Sequence, residues 1–524
     1  MRATVASQGE VRVVGDSMVG KGGVVNTGDL SGQDVARRPA EVRTAIVAVK
    51  SGNSDGAKGG RKGDPSSEGH REAPSALVPA TDMQAEASLW HRHKAQRGVW
   101  SEKMLIALEL GVKGNVWFSL IDKIYADRTL GLAWDKVSDN AGACGVDGIS
   151  IGHFDKDSQT RLLDVKEHLS KGTYEPKPVK RVMIPKPGSN EKRPLGIPTV
   201  RDRVVQTAVR MVIEPIFERE FAEQSYGFRP GRGCKDALRH VDELLQSGRT
   251  HIVDVDIKAY FDSIPHERLM ALVRERVADS RVLALIESFL KQRIMDPLGW
   301  IDPEEHDEGT PQGGVISPLL ANIYLNPLDH LMSQLGYEMV RYADDMVILC
   351  PSAEAAQSAL ATLREWTTEA GLTLHPEKTK IVNMGLPKAH FDFLGYRFWR
   401  SQKGGALRRF IRPKSVQKFK ASLKPLTKRA NGRSLEAIAK LLRPKLVGFY
   451  GYFKHASASA LEVLDGWVRG RLRGILRKRA GLRGRGRGRD HQKWSNHYFT
   501  KLGLYSLVTA QAQDMKSLRQ AANS

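Results

Sequence analysis

Cysteine is scarce in this chain. Cys144, Cys234 and Cys350 are the only three in 524 residues and stand far apart, which excludes a disulfide framework and a paired-cysteine zinc site. All three are expected to be reduced and structural. Long apolar runs are also missing: the stretch 346–350 is far short of the roughly 20 residues a membrane helix requires, and the N-terminus has no signal-peptide block. A cytoplasmic protein without a membrane partner is expected, with nucleoid association left open. Acidic residues nearly vanish from one region. Between 397 and 490 there are 27 Lys and Arg against 4 acids, leaving 54 against 55 elsewhere. The whole net charge of +22 is therefore carried by one segment, as expected of a polyanion-binding surface.

What remains is ordinary enough to fold. With 41% apolar and 27% charged residues the composition excludes a wholly disordered or fibrous chain, and the length asks for two or three folded units. Residues 1–85, with 13 glycines in the first 70 and no sustained apolar period, read as a disordered extension. Residues 86–175 carry short helical patterns, from Trp90 and Trp100 to a helix ending near Gly172. In 176–396 helices and strands alternate. A basic hairpin pairs 179–184 with 195–197, Asp202 is placed to cap the next helix, 252–257 is a strand, and 340–350 reads strand, turn, strand. Residues 397–480 are helical, and 481–524 form a basic tail that is a candidate DNA-binding element. The fold class is α+β with an all-α basic domain after it.

In that last helix Leu461, Leu464, Val468, Leu472 and Ile475 make an apolar stripe, and Arg469, Arg473 and Arg477 form a ladder expected on another face. The arginine- and glycine-rich run 483–489 has no period for a core and suits phosphates.

Carboxylates supply the chemistry. Asp254 and Asp256 point to one face of a strand, since side chains alternate. Asp344 and Asp345 stand at a turn between two apolar arms. Adjacent aspartates in isolation are usually turn formers. If the strands are neighbours, however, Asp256 joins them in a cluster that needs cations. Hard oxygen ligands without His or Cys favour Mg²⁺, and two ions bridged by carboxylates suit nucleotidyl transfer.

The order of blocks decides between these readings. Asp256-Ile-Lys-Ala-Tyr260-Phe261-Asp262, then Gly309-Thr-Pro311-Gln312-Gly313-Gly314 through Ser317-Pro318 to Asn322, then Tyr342-Ala343-Asp344-Asp345 resembles the reverse transcriptases. Gly145-Val-Asp-Gly148, Arg193-Pro-Leu-Gly-Ile-Pro198, Ser225-Tyr-Gly-Phe-Arg-Pro230, Gly371-Leu-Thr-Leu-His375-Pro-Glu-Lys378-Thr379 and Phe393-Leu-Gly-Tyr396 are similar to blocks of the group II intron-encoded reverse transcriptases, or maturases. The resemblance spans roughly 100 to 480. With no Cys beyond Cys350, it points to the bacterial type without an endonuclease domain, which would depend on existing primer ends.

The resemblance implies a right-hand polymerase: fingers and palm, then a thumb or maturase domain. Asp256, Asp344 and Asp345 would be the catalytic carboxylates, holding two Mg²⁺ with the Ile257 carbonyl. Lys186 and Arg193 would grip the incoming triphosphate, Gln312 and Gly313 would line the nucleotide pocket, and Lys378 would complete its cationic rim. Phe261 would be the ring that excludes a ribose 2′-OH. Lys445, Arg469, Arg473 and Arg477 would bind RNA. The implied partners are a group II intron RNA template, a DNA primer or target and dNTPs, with the oligomeric state left open. A splicing-only RNA-binding maturase and a retron-like or diversity-generating reverse transcriptase are the alternatives.

Overall fold

The computed structural model describes residues 98–185, 192–296, 299–301, 307–401, 405–484 and 486–523. The expected extension 1–85, Trp90 and Lys186 lie outside them.

Eleven strands form three sheets among the described residues. Four of these strands build the centre: β3 (His251–Val255), β6 (Glu338–Tyr342), β7 (Asp345–Cys350) and β8 (Lys380–Asn383), in the order β6-β7-β3-β8 with every pairing antiparallel. The pleat explains what this sheet divides. Val253, Val255, Met346 and Ile348 face a core built with helices Val200–Glu218, His266–Arg274, Ser280–Leu290, Ser317–Gln334 and Ala353–Glu369. Ile252, Val340, Val347 and Leu349 face a second core. Alternation along each strand sends successive side chains to opposite sides, so one sheet is shared by two apolar interiors.

A second sheet has the order β2-β1-β4-β5. In it β1 (Val179–Pro185) and β2 (Lys192–Ile197) form the expected hairpin, and β4 (Ile294–Asp296) and β5 (Gly299–Ile301) extend it. A three-stranded meander of β9 (His390–Phe393), β10 (Tyr396–Arg400) and β11 (Leu407–Ile411) packs Phe391, Phe393, Tyr396 and Phe398 into the second core. Helices Pro413–Leu423, Leu435–Phe453 and Ala458–Arg479 follow, so the chain is α+β with a helical C-terminal region.

Three sequence expectations need correction. The region 397–480 is not all helix: β10 and β11 take up its first residues as part of the meander that completes the second core, and helices begin at Pro413. The helix after the hairpin is capped by Thr199, whose hydroxyl accepts from the Asp202 backbone N–H. Asp202 is buried, and its carboxylate accepts from the hydroxyls of Tyr174 and Thr199, both at 2.6 Å. The arginine ladder of the last long helix is also not an outward cationic face. The apolar stripe is buried as expected, but Arg473 is buried with it, donating to the Trp494 carbonyl at 2.9 Å and to Asn496 at 3.2 Å. Arg469 pairs with Asp465 and Arg477 with Asp490. The physical reason is the tail, which folds back as helices Arg489–Lys493, Asn496–Lys501 and Leu507–Asn523. A helix covered on that side turns its arginines into staples.

No helix among the described residues is long and apolar enough to cross a membrane.

Candidate active site

The central sheet brings the three expected carboxylates together. Val255 pairs with Met346, and the ladder runs antiparallel, so Asp256 and Asp345 fall opposite one another just past its end. They project to the same side as Ile252 and Leu349, because parity is kept along both strands. Asp344 lies in the two-residue turn between Tyr342 and Asp345, which pair with each other. Ala343 supplies the positive φ of 58° that such a hairpin turn demands. Ile257 continues the strand by bridging Leu374, and the Asp256 carbonyl accepts from His375 at 2.7 Å.

Charge crowding marks the cluster. Restricted hydration comes first, followed by the charges of Asp344 and Asp256, and together they push Asp345 up to about 6 although its side chain reaches solvent. Burial and then Asp256 hold Asp344 above the ordinary carboxylate range, with Arg341 acting against them. Asp254, two residues before Asp256, also rises to about 6, chiefly through burial. Like charges held together this way favour a bound cation. Among the described residues no three His, Cys, Asp or Glu side chains form a ready-made metal cage. Lys378 donates to Asp256 Oδ2 at 2.9 Å. The donor set is nonetheless hard oxygen throughout and fits a divalent ion such as Mg²⁺.

The other expected residues occupy separate parts of the fold. Phe261 lies in the short turn Tyr260–Asp262, partly buried against the first core, and its carbonyl accepts from the Thr310 N–H at 2.6 Å. Gln312 donates to Asp262 at 2.9 Å, and its carbonyl accepts from the Gly196 N–H at 2.6 Å. Gly313 has φ 119°, and a Cβ there would fall 2.2 Å from the Gly196 carbonyl oxygen. This loop is thus pressed onto the β1–β2 hairpin, where Arg193 is exposed opposite Ile184. Lys445 is exposed on helix Leu435–Phe453. Arg469, Arg473 and Arg477 stand in the stapled arrangement described above, with Arg473 buried and the other two half-buried.

Sequence reasoning gave no role to the support beneath the turn. Arg341 is fully buried and donates to both Asp329 oxygens, to Asn322 Oδ1 at 2.9 Å, to Ser225 Oγ at 2.8 Å and to the Ala343 carbonyl at 3.0 Å. Asn322 in turn donates to the Gly227 carbonyl at 2.7 Å. Gly227 has no room for a side chain, since its Cβ would fall 2.2 Å from the Ala343 nitrogen. The available signal was an arginine between apolar residues of a central strand, which must have buried partners.

The chain is similar to known proteins over most of the described residues. Residues 184–398 match the family of reverse transcriptases (RNA-dependent DNA polymerases), and residues 416–494 match the group II intron maturase-specific domain. Protein YkfC of Escherichia coli is 35% identical over 334 residues, covering 55% of this chain and 85% of that protein. The group II intron-encoded protein LtrA of Lactococcus lactis is 38% identical over 216 residues, 41% of this chain but 35% of LtrA, so the match spans about a third of that relative. A partial Cas6-RT-Cas1–Cas2 complex aligns over 48% of this chain and 42% of its own, at 22% identity and a TM-score of 0.32. That likeness carries no argument here.

Proposed function

The chain belongs to the group II intron-encoded reverse transcriptases and maturases, and we propose that it copies intron RNA into DNA at the Asp256, Asp344 and Asp345 cluster while its basic helical domain holds the intron RNA to assist splicing and mobility. The observation that carries the reading is the convergence of three acidic residues at the end of a shared sheet.

In this reading β3, β6, β7 and β8 are the palm, the β1–β2 hairpin belongs to the fingers, and the helices from 413 onward form the thumb. Asp256, Asp344, Asp345 and the Ile257 carbonyl would hold two Mg²⁺, which when bound lower the barrier by polarising the attacking hydroxyl and neutralising phosphate charge. The chain's own residues do the positioning. A primer 3′-OH attacks the α-phosphate of a dNTP, the bond to the bridging oxygen breaks, pyrophosphate leaves, and the hydroxyl proton passes to solvent or a nearby base. Arg193 on the hairpin, and Lys186 in the sequence before it, would neutralise the triphosphate from the fingers side. Lys378 would exchange Asp256 for phosphate oxygens as the cations arrive. Phe261 would press against C2′ of the sugar, and Gln312 would offer its amide to sugar or base. Exposed cations of the thumb, Lys445 among them, would meet RNA phosphates.

Primer extension on an RNA template with dNTPs and Mg²⁺ tests the proposal. Extension by the protein and none by Asp344→Ala is the expected result. A folded, RNA-binding protein that never extends a primer would instead establish a splicing-only maturase.

A further inference from the structure

Phe228 holds a backbone conformation that a bulky residue adopts only under constraint. Its φ is 58°, in the left-handed region where Cβ crowds the following carbonyl oxygen. Both neighbours keep it there. Gly227 is wedged against the Ala343 nitrogen. Arg229 is buried, clamped on Glu218 at 3.0 to 3.1 Å, and donates to the carbonyls of Ala222 and Ser225.

This constraint does not serve core packing. The Phe228 side chain is 43% exposed, and its ring lies 6.2 Å from that of Tyr342, at 43° between planes. Tyr342 stands two residues before Asp344. Two rings, one forced outward by a strained backbone, therefore border the carboxylate turn. Strain of this kind concentrates at functional positions.

The location selects the ligand. Tyr342 packs with the second core, as does Tyr452 of helix Leu435–Phe453, whose hydroxyl donates to the Leu394 carbonyl at 2.8 Å. Phe261 packs with the first core, and Gln312 sits with Asp262 beside it. A nucleotide arriving at Phe261 and Gln312 would therefore approach the carboxylates from one side, and a strand end would approach from the side of Tyr342. Every base and sugar has an apolar face, so aromatic contact tolerates any sequence.

We propose that Phe228 and Tyr342 form a two-ring platform for the 3′-terminal nucleotide of the primer. This rests on the reading that the carboxylates carry out nucleotidyl transfer. The platform sets the 3′-OH in place by contact with sugar and base, without reading sequence.

The test uses the full chain and an RNA template annealed to a DNA primer ending in 2-aminopurine, without dNTP and with EDTA, so that no chemistry is needed. Binding to the unaltered protein should change the probe's fluorescence. In Phe228→Gly and Phe228→Asn, both of which accept positive φ, the change should disappear and the dissociation constant should rise about tenfold, with an unfolding midpoint equal to or above that of the parent. Phe228→Tyr should restore the signal. An unchanged signal and affinity in both folded variants, in a protein that does extend primers, would overturn the platform alone. Ring-dependent fluorescence in a protein that never extends primers would uphold the platform and overturn the polymerase reading.

Discussion

The guanidinium of Arg341 donates to the carbonyl of Ala343 at 3.0 Å, from a side chain with no exposure to solvent. A full positive charge thus lies directly under the turn that carries Asp344, and its other donors are spent on Asp329, Asn322 and Ser225. Replacing Arg341 by Met would leave Asp329 buried and unpaired, and is expected to cost about 3–5 kcal/mol, measured by denaturant unfolding. Arg341→Lys keeps the charge but cannot reach all four groups. It is expected to fold and to lose at least about tenfold in kcat, with little change in KM for dNTP.

Gly227→Ala tests the same support from above. The added methyl would meet backbone at 2.2 Å, which cannot yield as a flexible side chain can. The turn is expected to shift and primer extension to fall by about a hundredfold. RNA binding by the helical domain should be unchanged in a filter assay. Equal loss of both would show that the damage is global.

The pH dependence follows from Asp254 and Asp345, which lie at about 6 instead of 3.8. Folded protein holds these protons more tightly than unfolded chain does. Their favourable contribution is therefore complete below the unfolded value and is lost as pH rises through about 6. Asp345→Asn is expected to melt higher than the parent at pH 8 and equally at pH 4, while losing extension. Added Mg²⁺ should raise the melting temperature of the parent at pH 8 more than that of the variant.

Phe261→Ala is expected to raise ribonucleotide incorporation relative to deoxynucleotide by at least about tenfold, read as the ratio of kcat/KM values. Unchanged selectivity would remove the sugar-gate assignment from this ring.

The cations of the helical C-terminal region separate into two kinds. Lys445→Glu should weaken RNA binding and lower the slope of log affinity against log salt by about one, with stability unchanged. Arg473→Ala should do the reverse, because its guanidinium holds Trp494 and Asn496. Thermal melting and salt titration on the same two variants distinguish the roles.

Much of this was legible in the residues. Alternation gave the face shared by Asp254 and Asp256, the apolar arms gave the 340–350 hairpin, and helical spacing gave the buried stripe from Leu461 to Ile475. What escaped notice depends on partners distant in sequence. Asp202 looks like a cap until Tyr174 is known to stand against it. The arginines at 469, 473 and 477 look solvated until a tail some 20 residues later covers them. Arg341 looks anomalous in a strand until Asp329, Asn322 and Ser225 converge on it. Charge spacing reports a face, and only tertiary packing decides what lies upon that face.

The sheet that separates the two cores also ties their fates. Amide protons of Ile252 and Val253 are sheltered by interiors on opposite sides, so their slowest exchange should require both to open together. Melting is then a single event felt alike by the central sheet and by the helices beyond residue 413. A substitution that loosens the RNA-holding part would lower the occupancy of a competent active site without touching it. The two activities would be inherited as one thermodynamic unit.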